Sequence, residues 1–355
     1  MLTQDQIRVY GGTSNHDLDA TILTLVKRRL NYPDLKFTRV IHNTWADGEP
    51  GFRLNEFESI AGKTVVIFTS VIDDKTELQI RDMVMACHLQ YGAKRVIVVM
   101  SFLRYRRQDH DEYTHEINRL RMFIKNLKDG GVDHLILCEP HNVAKTMSYC
   151  QEFGLAVSIA DPTELFVEEI NPLLLSCGMS NVVVFSPDFG SVGRGLTIAE
   201  RLKVPLVALP KRRINGRLEL VTDVSAFRAM IEAHFSLKVP LSCNIDDVQG
   251  NHVVFREDEV ASGATSAKQA WRLHDVGTRG IYLLATHPVC NDGWRDNLFP
   301  FGETAPFTSI YLGNTRRRGI GKTPYEGSTD GEVTVVDMAP VLADRLVQLL
   351  EDLND

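Results

Sequence analysis

The sequence predicts an α/β protein with two halves, each holding a mostly parallel sheet that helices flank. Short apolar runs rich in β-branched residues alternate with segments whose apolar residues recur at helical spacing. The runs are apolar throughout, which is typical of parallel strands that are covered on both faces. The pattern starts again near the middle of the chain, and 355 residues are more than one core usually needs.

The first half opens this alternation with the strand-like run 63–70. Helical spacing follows over 76–91, and the apolar run 95–102 predicts the next strand. A further predicted helix over 115–128 precedes a predicted strand over 134–139. This order favours neighbouring parallel strands that are joined by helices.

The second half repeats the architecture and closes with a helix. Segment 223–249 is less regular and is interpreted as an insertion, while leucines over 339–353 predict a last helix that returns to the first half. We therefore expect an N-terminal domain over 1–157, joined by the final helix 339–355, and a C-terminal domain over 158–338. The predicted strands of the second half are 181–188, 205–211, 252–258 and 280–287, and its predicted helices are 192–202 and 266–274.

Composition and charge exclude several classes of protein. The chain has 39 Lys and Arg against 46 Asp and Glu, whereas nucleic-acid-binding proteins usually carry a basic balance or stripe. Its basic runs are short, which suits small anionic ligands better than polymers. No apolar run approaches the roughly 18 residues of a membrane span, and the N-terminus lacks the features of a secretory signal. We therefore expect a cytoplasmic protein with no nucleic-acid or membrane partner.

The strongest chemical signal is the segment 253–265, because ligands of open parallel sheets bind beyond the carboxyl ends of the strands. An apolar strand ends there in Glu257 and Asp258, and a Ser-Gly-Ala-Thr turn leads into a helix. Backbone N–H groups and the hydroxyls of Ser262 and Thr265 can hold a phosphate, and the carboxylates can accept hydrogen bonds from ribose hydroxyls. The alternative is a solvent-facing acidic turn before a capped helix.

A loop in the first half carries residues that suit an adenine base. Asp47 and Glu49 flank Gly48, and their carboxylates can accept from an adenine amino group. The alternative is a plain Asp-Gly turn. Trp45 either stacks on a base or fills a gap in the core.

Polar residues that can bind phosphate or metal follow other predicted strands. Their position is the edge where ligands of a parallel sheet bind. A solvated loop or a structural histidine is the alternative at each place. These residues are Arg107 with Gln108 and Asp109, His141, Asp188, and Lys211 with Arg213.

The order of these segments resembles that of the ribose-phosphate diphosphokinases, also called phosphoribosyl pyrophosphate synthetases. The resemblance runs through nearly the whole chain, with short fragments in the family's order at similar spacing. It implies two tandem phosphoribosyltransferase-like domains, each a mostly parallel sheet flanked by helices. The fragments are WADGE (45–49), YRRQD (105–109), EPH (139–141), SPDFG (186–190), PKRR (210–213) and ATH (285–287), besides the segment 253–265.

The resemblance also implies an activity. It indicates a Mg²⁺-dependent transferase that moves the β,γ-diphosphoryl group of ATP to the C1 hydroxyl of ribose 5-phosphate and releases AMP. Such chemistry needs positioning and charge neutralisation more than a covalent nucleophile. Family members form homo-oligomers built from dimers, often hexamers. The implied roles are ATP binding by Trp45, Asp47, Glu49, Arg107, Gln108 and Asp109, metal binding by His141 and Asp188, catalysis by Lys211 and Arg213, and ribose-phosphate binding by Glu257, Asp258, Ser262, Gly263, Ala264 and Thr265.

The ribose-phosphate loop departs from the family pattern, which reads Asp-Asp and then Asp-Thr-Gly-Gly-Thr. Ala261 removes a carboxylate near the 5-phosphate end, and Ala264 adds a methyl group where the backbone should approach phosphate closely. Glu257 and Ser262 are smaller changes. The acceptor is therefore either ribose 5-phosphate or a larger molecule with a free C1 hydroxyl, such as ADP-ribose, which would place the chain in NAD metabolism.

Two further classes remain as alternatives. A phosphoribosyltransferase shares the Glu-Asp loop, but it does not need two α/β halves or the first-half segments. A catalytically silent homologue that acts as a regulatory or structural subunit would not need to retain Lys211, Arg213, His141 and Asp188. ATP-dependent formation of AMP separates these classes.

Overall fold

Parallel strands and helices alternate through both halves of the chain, which confirms the predicted α/β class. The computed structural model describes residues 2–38, 40–54, 59–109, 117–214, 217–300, 305–317 and 333–353. Its contacts divide the chain into two units. The N-terminal unit holds the described residues of Met1–Asp161, Thr315–Lys322 and Asp337–Asp355, and the C-terminal unit holds those of Pro162–Asn314 and Thr323–Val336.

The elements follow one another along the described chain in a regular order. The strands are β1 (Ile7–Gly11), β2 (Val40–Thr44), β3 (Pro50–Leu54), β4 (Thr64–Ser70), β5 (Arg95–Phe102), β6 (His134–Cys138), β7 (Ala156–Ala160), β8 (Val182–Ser186), β9 (Leu206–Ala208), β10 (Lys211–Ile214), β11 (Arg217–Leu220), β12 (Leu241–Ser242), β13 (His252–Val260), β14 (Gly280–Pro288), β15 (Ser309–Gly313) and β16 (Val333–Val336). The helices are α1 (His16–Leu30), α2 (Asp74–Met85), α3 (Arg119–Gly130), α4 (Val143–Glu152), α5 (Thr163–Cys177), α6 (Phe189–Leu202), α7 (Val224–His234), α8 (Ala264–Val276), α9 (Trp294–Leu298) and α10 (Ala339–Asp352).

A five-stranded parallel sheet forms the centre of the N-terminal unit, in the order β1-β4-β5-β6-β7. Every residue of β4 is buried, as expected for a strand that is apolar throughout and covered on both faces. α3 ends at Gly131, which has a left-handed φ of 107° and where a Cβ would lie 2.4 Å from the His88 side chain. The antiparallel pair of β2 and β3 lies outside this sheet.

A seven-stranded parallel sheet forms the centre of the C-terminal unit, in the order β12-β9-β8-β13-β14-β15-β16. β14 is buried along its whole length, and the rings of Phe185 and Phe255 meet edge to face at 5.7 Å between centroids on the neighbouring strands β8 and β13. β10 and β11 form a separate antiparallel hairpin with Lys211 opposite Leu220. The carboxyl ends of β8, β9, β13 and β14 therefore lie at one edge of this sheet.

The last helix, α10, packs against α1 and β6 of the N-terminal unit. Arg345 Nε donates to the Ile159 carbonyl oxygen at 3.0 Å, and Arg29 pairs with Asp344 at 2.6 Å. Its apolar face, which includes Leu342 and Leu346, is buried. Across the described ranges, no helix has both the length and the apolar character needed to cross a membrane.

Three predicted boundaries differ from the structure. The helix predicted over 76–91 is α-helical only as far as Met85, and a π-helical turn follows over Ala86–Gln90, a change that apolar spacing does not reveal. The strand predicted over 205–211 is wrong at its end, because β9 stops at Ala208 and Lys211 begins the β10–β11 hairpin. The less regular segment 223–249 contains the helix α7.

Candidate active site

Carboxylates collect at the carboxyl edge of the C-terminal sheet. Asp188 follows β8, and Glu257 and Asp258 lie near the end of β13, the strand that pairs with β8. Asp188 is also the N-cap of α6, since its Oδ1 accepts from the Ser191 backbone N–H at 3.1 Å. The sequence prediction of a functional Asp188 and a structural role in capping are therefore compatible at this position.

The Glu257 carboxyl has a raised pKa. Although part of Glu257 reaches the surface, burial, then the charge of Asp258, raises the pKa of Glu257 to about 8 against the opposing charge of Arg194. Asp188 raises the Glu257 pKa further by a smaller amount. Asp258 is buried, and its Oδ1 lies 3.6 Å from Arg194 Nη2. With a raised pKa, the Glu257 carboxyl can donate a hydrogen bond at neutral pH, which suits a sugar hydroxyl.

Lys211 begins β10, close to the same carboxylates. Burial, followed by the charge of Arg272, lowers the pKa of Lys211, and Asp188 acts in the opposite direction. Lys268 lowers the Lys211 pKa as well. Lys268 and Arg272 are four residues apart on α8, so they share one face of that helix. Lys211 therefore interacts with the charges of two cations and of Asp188.

The predicted catalytic Arg213 lies within β10, opposite Leu218 in the register of the hairpin. Its side chain is outside the part of the chain that the structure describes. The functional assignment of Arg213 therefore stays a prediction.

The predicted phosphate loop forms a tight turn between β13 and α8. Gly263 has a left-handed φ of 74°, and a Cβ there would lie 2.8 Å from the Leu298 side chain, so this position requires glycine. Asn297 Nδ2 donates to the Ser262 carbonyl oxygen at 2.9 Å and holds the turn. Ser262, Ala264 and Thr265 are exposed at the start of α8, where backbone N–H groups that have no partner within the helix can bind an anion.

The WADGE segment forms the turn of the hairpin between β2 and β3. Trp45 N donates to the Glu49 carbonyl oxygen at 2.8 Å, and Asp47 Oδ1 accepts from Glu49 N at 3.1 Å. The Asp-Gly turn is thus present, with Gly48 at a φ of 90°. Trp45 is 56% exposed, so the interpretation that it fills a gap in the core is wrong and its ring is accessible for stacking.

The YRRQD segment forms a turn directly after β5. Arg107 and Gln108 are exposed. Asp109 is buried, and its carbonyl oxygen accepts from Lys145 Nζ at 3.0 Å and from the Tyr149 hydroxyl at 2.9 Å. Arg107 and Gln108 are therefore placed for ligand contact, whereas the Asp109 backbone is an anchor of the segment.

The two predicted metal ligands belong to different units. His141 is half-buried in the turn between β6 and α4. Over the ranges that the structure describes, no group of three or more His, Cys, Asp or Glu side chains could hold a metal ion. Mg²⁺ usually keeps several waters and takes one or two carboxylates with substrate phosphates, so it does not need such a group. The Asp188 carboxylate supplies an oxygen donor of the kind that Mg²⁺ takes together with substrate phosphates.

The sequence alone did not predict a role for several cationic side chains. Arg194 contacts Asp258, and only the packing of α6 on β13 reveals this. Lys268 and Arg272 follow the predicted phosphate loop four residues apart, and this spacing could have indicated a basic face of α8. Arg316 lies 5.1 Å from the ring centroid of Phe102, so it is packed rather than surrounded by solvent.

Comparisons with known proteins identify relatives of the chain. The profile of the N-terminal domain of ribose phosphate pyrophosphokinase matches residues 7–131. Ribose-phosphate pyrophosphokinase 1, chloroplastic, of Oryza sativa is 24% identical over 351 residues, which cover 98% of this chain and 77% of the relative. Ribose-phosphate pyrophosphokinase 1 of Lactococcus lactis is also 24% identical over 351 residues, and the match covers 99% of this chain and 95% of that protein.

A solved structure supports the same relationship at the level of the fold. Phosphoribosylpyrophosphate synthetase from Mycobacterium smegmatis has a TM-score of 0.75 with 21% sequence identity. The match covers 98% of this chain and 99% of that chain, so both halves of the predicted architecture are included. The chain is therefore similar to ribose-phosphate pyrophosphokinases in sequence over nearly its whole length, as the order of its motifs predicts.

Proposed function

We propose that the chain is a Mg²⁺-dependent ribose-phosphate diphosphokinase. It transfers the β,γ-diphosphoryl group of ATP to the C1 hydroxyl of ribose 5-phosphate, giving phosphoribosyl pyrophosphate and AMP. The observation that carries this proposal is the grouping of Asp188, Lys211, Glu257 and Asp258 at one edge of the C-terminal sheet. The names of the relatives support the same reaction.

The C-terminal residues bind the acceptor and the transferred diphosphoryl group. Glu257 and Asp258 bind the ribose hydroxyls through hydrogen bonds. The N–H groups at the start of α8, with the exposed Ser262 and Thr265 hydroxyls, bind the 5-phosphate. Lys211 neutralises negative charge on the moving diphosphate, a role that its position beside Asp188 supports. Arg213 is assigned the same role from its place in the motif.

The N-terminal residues bind ATP in this proposal. Trp45 stacks on the adenine, and Asp47 and Glu49 accept from its amino group. Arg107 and Gln108 contact the nucleotide, and Asp109 holds their segment in place.

Magnesium completes the proposed chemistry. When bound, Mg²⁺ neutralises phosphate charge, and Asp188 and His141 are its proposed protein ligands. The proposed assembly is a dimer-based homo-oligomer, which light scattering of the purified protein tests.

An acceptor assay tests the reaction. The protein is mixed with ATP, Mg²⁺ and ribose 5-phosphate, and AMP and the product mass are measured over time. The proposal predicts AMP together with phosphoribosyl pyrophosphate. AMP formation that does not depend on an acceptor, or consumption of phosphoribosyl pyrophosphate with a free base, would contradict it, and the second result would favour a phosphoribosyltransferase.

A larger acceptor such as ADP-ribose is the second candidate. Ala261 and Ala264 favour it, because the loop around a plain 5-phosphate lacks the family's third carboxylate and carries a methyl group at an exposed helix start. The same assay with both acceptors decides between them. A far higher rate of AMP release with ribose 5-phosphate would exclude the larger acceptor, and no AMP with any acceptor would favour the silent homologue.

A further inference from the structure

The turn that carries Arg107 and Gln108 begins with a strained tyrosine. Tyr105 has a φ of 62°, a left-handed backbone conformation that bulky residues rarely adopt. Gln108 N donates to the Tyr105 carbonyl oxygen at 2.8 Å, so the conformation of Tyr105 sets the path of the turn. Such strain persists only where neighbouring contacts enforce it.

Those contacts come from two helices and from the turn itself. The Tyr105 hydroxyl donates to Glu77 Oε2 at 2.6 Å and accepts from Arg119 Nη2 at 2.7 Å. Glu77 belongs to α2, and Arg119 is the first residue of α3. Arg104 Nη1 donates to the same Glu77 oxygen at 3.0 Å. The hydroxyl therefore joins a carboxylate of one helix to a guanidinium of the next.

The ring of Tyr105 is held as well as its hydroxyl. The guanidinium carbon of Arg119 lies 4.2 Å from the ring centroid, and that of Arg104 lies 4.7 Å from it. Both distances are within the range of cation–π attraction. We call Glu77, Arg104, Tyr105 and Arg119 the Tyr105 clamp.

The clamp acts at one end of the segment, and other contacts hold the other end. Leu120 N, next to Arg119 in the chain, donates to the Gln108 carbonyl oxygen at 3.3 Å. The Asp109 carbonyl oxygen is held by Lys145 and Tyr149. The backbone is therefore fixed on both sides of Arg107 and Gln108, while their side chains stay exposed. Rigid support of this kind lowers the entropy cost of binding a ligand.

We propose that the Tyr105 clamp positions Arg107 and Gln108 for nucleotide binding. Its members are positioning residues, and they act through the backbone of the turn rather than by contact with substrate. The inference rests on the proposed function, because it takes ATP as the ligand of Arg107 and Gln108. It adds Glu77, Arg104 and Arg119 to the residues on which nucleotide affinity depends.

Two conservative variants test the clamp. Tyr105→Phe removes the hydroxyl and keeps the ring, and Arg119→Lys removes the planar donor that both stacks on the ring and bonds to the hydroxyl. Arg121→Lys is the matched control, because Arg121 is on the same helix, donates to Glu152 Oε2 at 3.0 Å and lies 5.6 Å from the Phe153 ring centroid. The measurements are KM for ATP, KM for the acceptor, kcat, Tm, and the Kd of a non-hydrolysable ATP analogue by calorimetry.

The expected result is a selective loss of nucleotide affinity. Tyr105→Phe and Arg119→Lys should raise KM for ATP and the analogue Kd by about five- to tenfold, the usual effect of one lost hydrogen bond, with kcat and KM for the acceptor unchanged. Arg121→Lys should leave all these values unchanged, and the three variants should melt within a few degrees of the wild type. A merely structural role would lower Tm and leave KM for ATP unmoved.

The outcomes separate this inference from the proposed function. If the wild type releases AMP and the clamp variants match Arg121→Lys in KM and Kd, the clamp inference is overturned and the proposed function stands. If the wild type releases no AMP with any acceptor but binds the analogue, and the variants bind it more weakly, the clamp inference stands and the proposed function is wrong. If the wild type does not bind the analogue, both are wrong.

Discussion

The two proposed binding regions are held in place by different forces. Trp45, Arg107 and Gln108 are exposed residues on turns, and hydrogen bonds to the backbone of these turns hold them in place. Asp258, in contrast, lies within β13 among buried strands, where its position depends on the packing of the sheet. Substitutions in the first region should therefore change binding alone, and substitutions in the second should change binding and stability together.

Lys211→Ala gives the largest expected effect on the reaction. Loss of a charge that stabilises the transferred phosphates should lower kcat by about 10²–10³-fold. Tm should not fall, because removing Lys211 also relieves repulsion with Arg272 and Lys268. The measurements are AMP release and thermal melting. Lys238→Ala is the control, since Lys238 is exposed and its Nζ lies 3.8 Å from Glu200 Oε2, and unchanged kcat in Lys211→Ala would remove this lysine from the mechanism.

Asp258→Asn should separate the two regions most clearly. Asp258 is buried 3.6 Å from Arg194, so its substitution removes one charge partner of that guanidinium and should lower the free energy of unfolding by about 2 kcal/mol. The affinity for the acceptor should fall as well. Denaturant unfolding and acceptor titration measure the two effects. If Asp258→Asn left the free energy of unfolding unchanged, the claim that binding and stability change together in the buried region would be wrong.

Trp45→Ala tests the exposed side. The ring is 56% exposed, so its removal costs little packing, and Tm should be unchanged. Loss of stacking on the adenine should raise KM for ATP about tenfold, which corresponds to roughly 1.4 kcal/mol. Steady-state kinetics and thermal melting decide the outcome. A large fall in Tm would show that this turn also supports the fold, and the contrast between the regions would disappear.

Asp19→Asn tests a buried carboxylate that has no proposed binding role, in contrast to Asp258. Asp19 is buried in α1, and burial raises its pKa well above the usual value. A raised pKa means that its contribution to stability is present at low pH and is lost as the pH rises through the folded-state pKa. Asp19→Asn should therefore raise the free energy of unfolding by about 1 kcal/mol at pH 8 and by almost nothing at pH 4.

Denaturant unfolding at several pH values checks the Asp19 prediction. Asp129→Asn is the control, because Asp129 is exposed and pairs only with the neighbouring Lys125 among the contacts described for it. A gain for Asp19→Asn that did not depend on pH would contradict the assignment of the effect to a buried charge.

Much of the fold could be predicted because the strands are apolar throughout. The runs 63–70 and 95–102 correspond closely to β4 and β5, where burial on both faces leaves an unambiguous signal. α7 was missed because its buried residues are only Phe227 and Ile231, too few for a clear helical period. The π-helical turn after α2 was missed because it changes hydrogen bonding without changing composition.

The residues of the candidate site that lie at the carboxyl ends of strands could be predicted from the sequence. Asp188, Glu257 and Asp258 were found because parallel sheets bring their carboxyl ends to one edge. The contact of Arg194 with Asp258 depends on how α6 packs on β13, and the enforced conformation of Tyr105 depends on contacts between α2 and α3. Neither relationship has a periodic signal in the sequence.

The most direct test of the central claim is the fate of the diphosphoryl group. ATP labelled at the β-phosphorus is incubated with Mg²⁺, ribose 5-phosphate or ADP-ribose, and the protein, and the products are separated. The account predicts that AMP leaves unlabelled while the label moves onto the acceptor as a diphosphate, and that Lys211→Ala slows this transfer by about 10²–10³-fold. Label that remains in ADP, or that is released as free pyrophosphate, would contradict it.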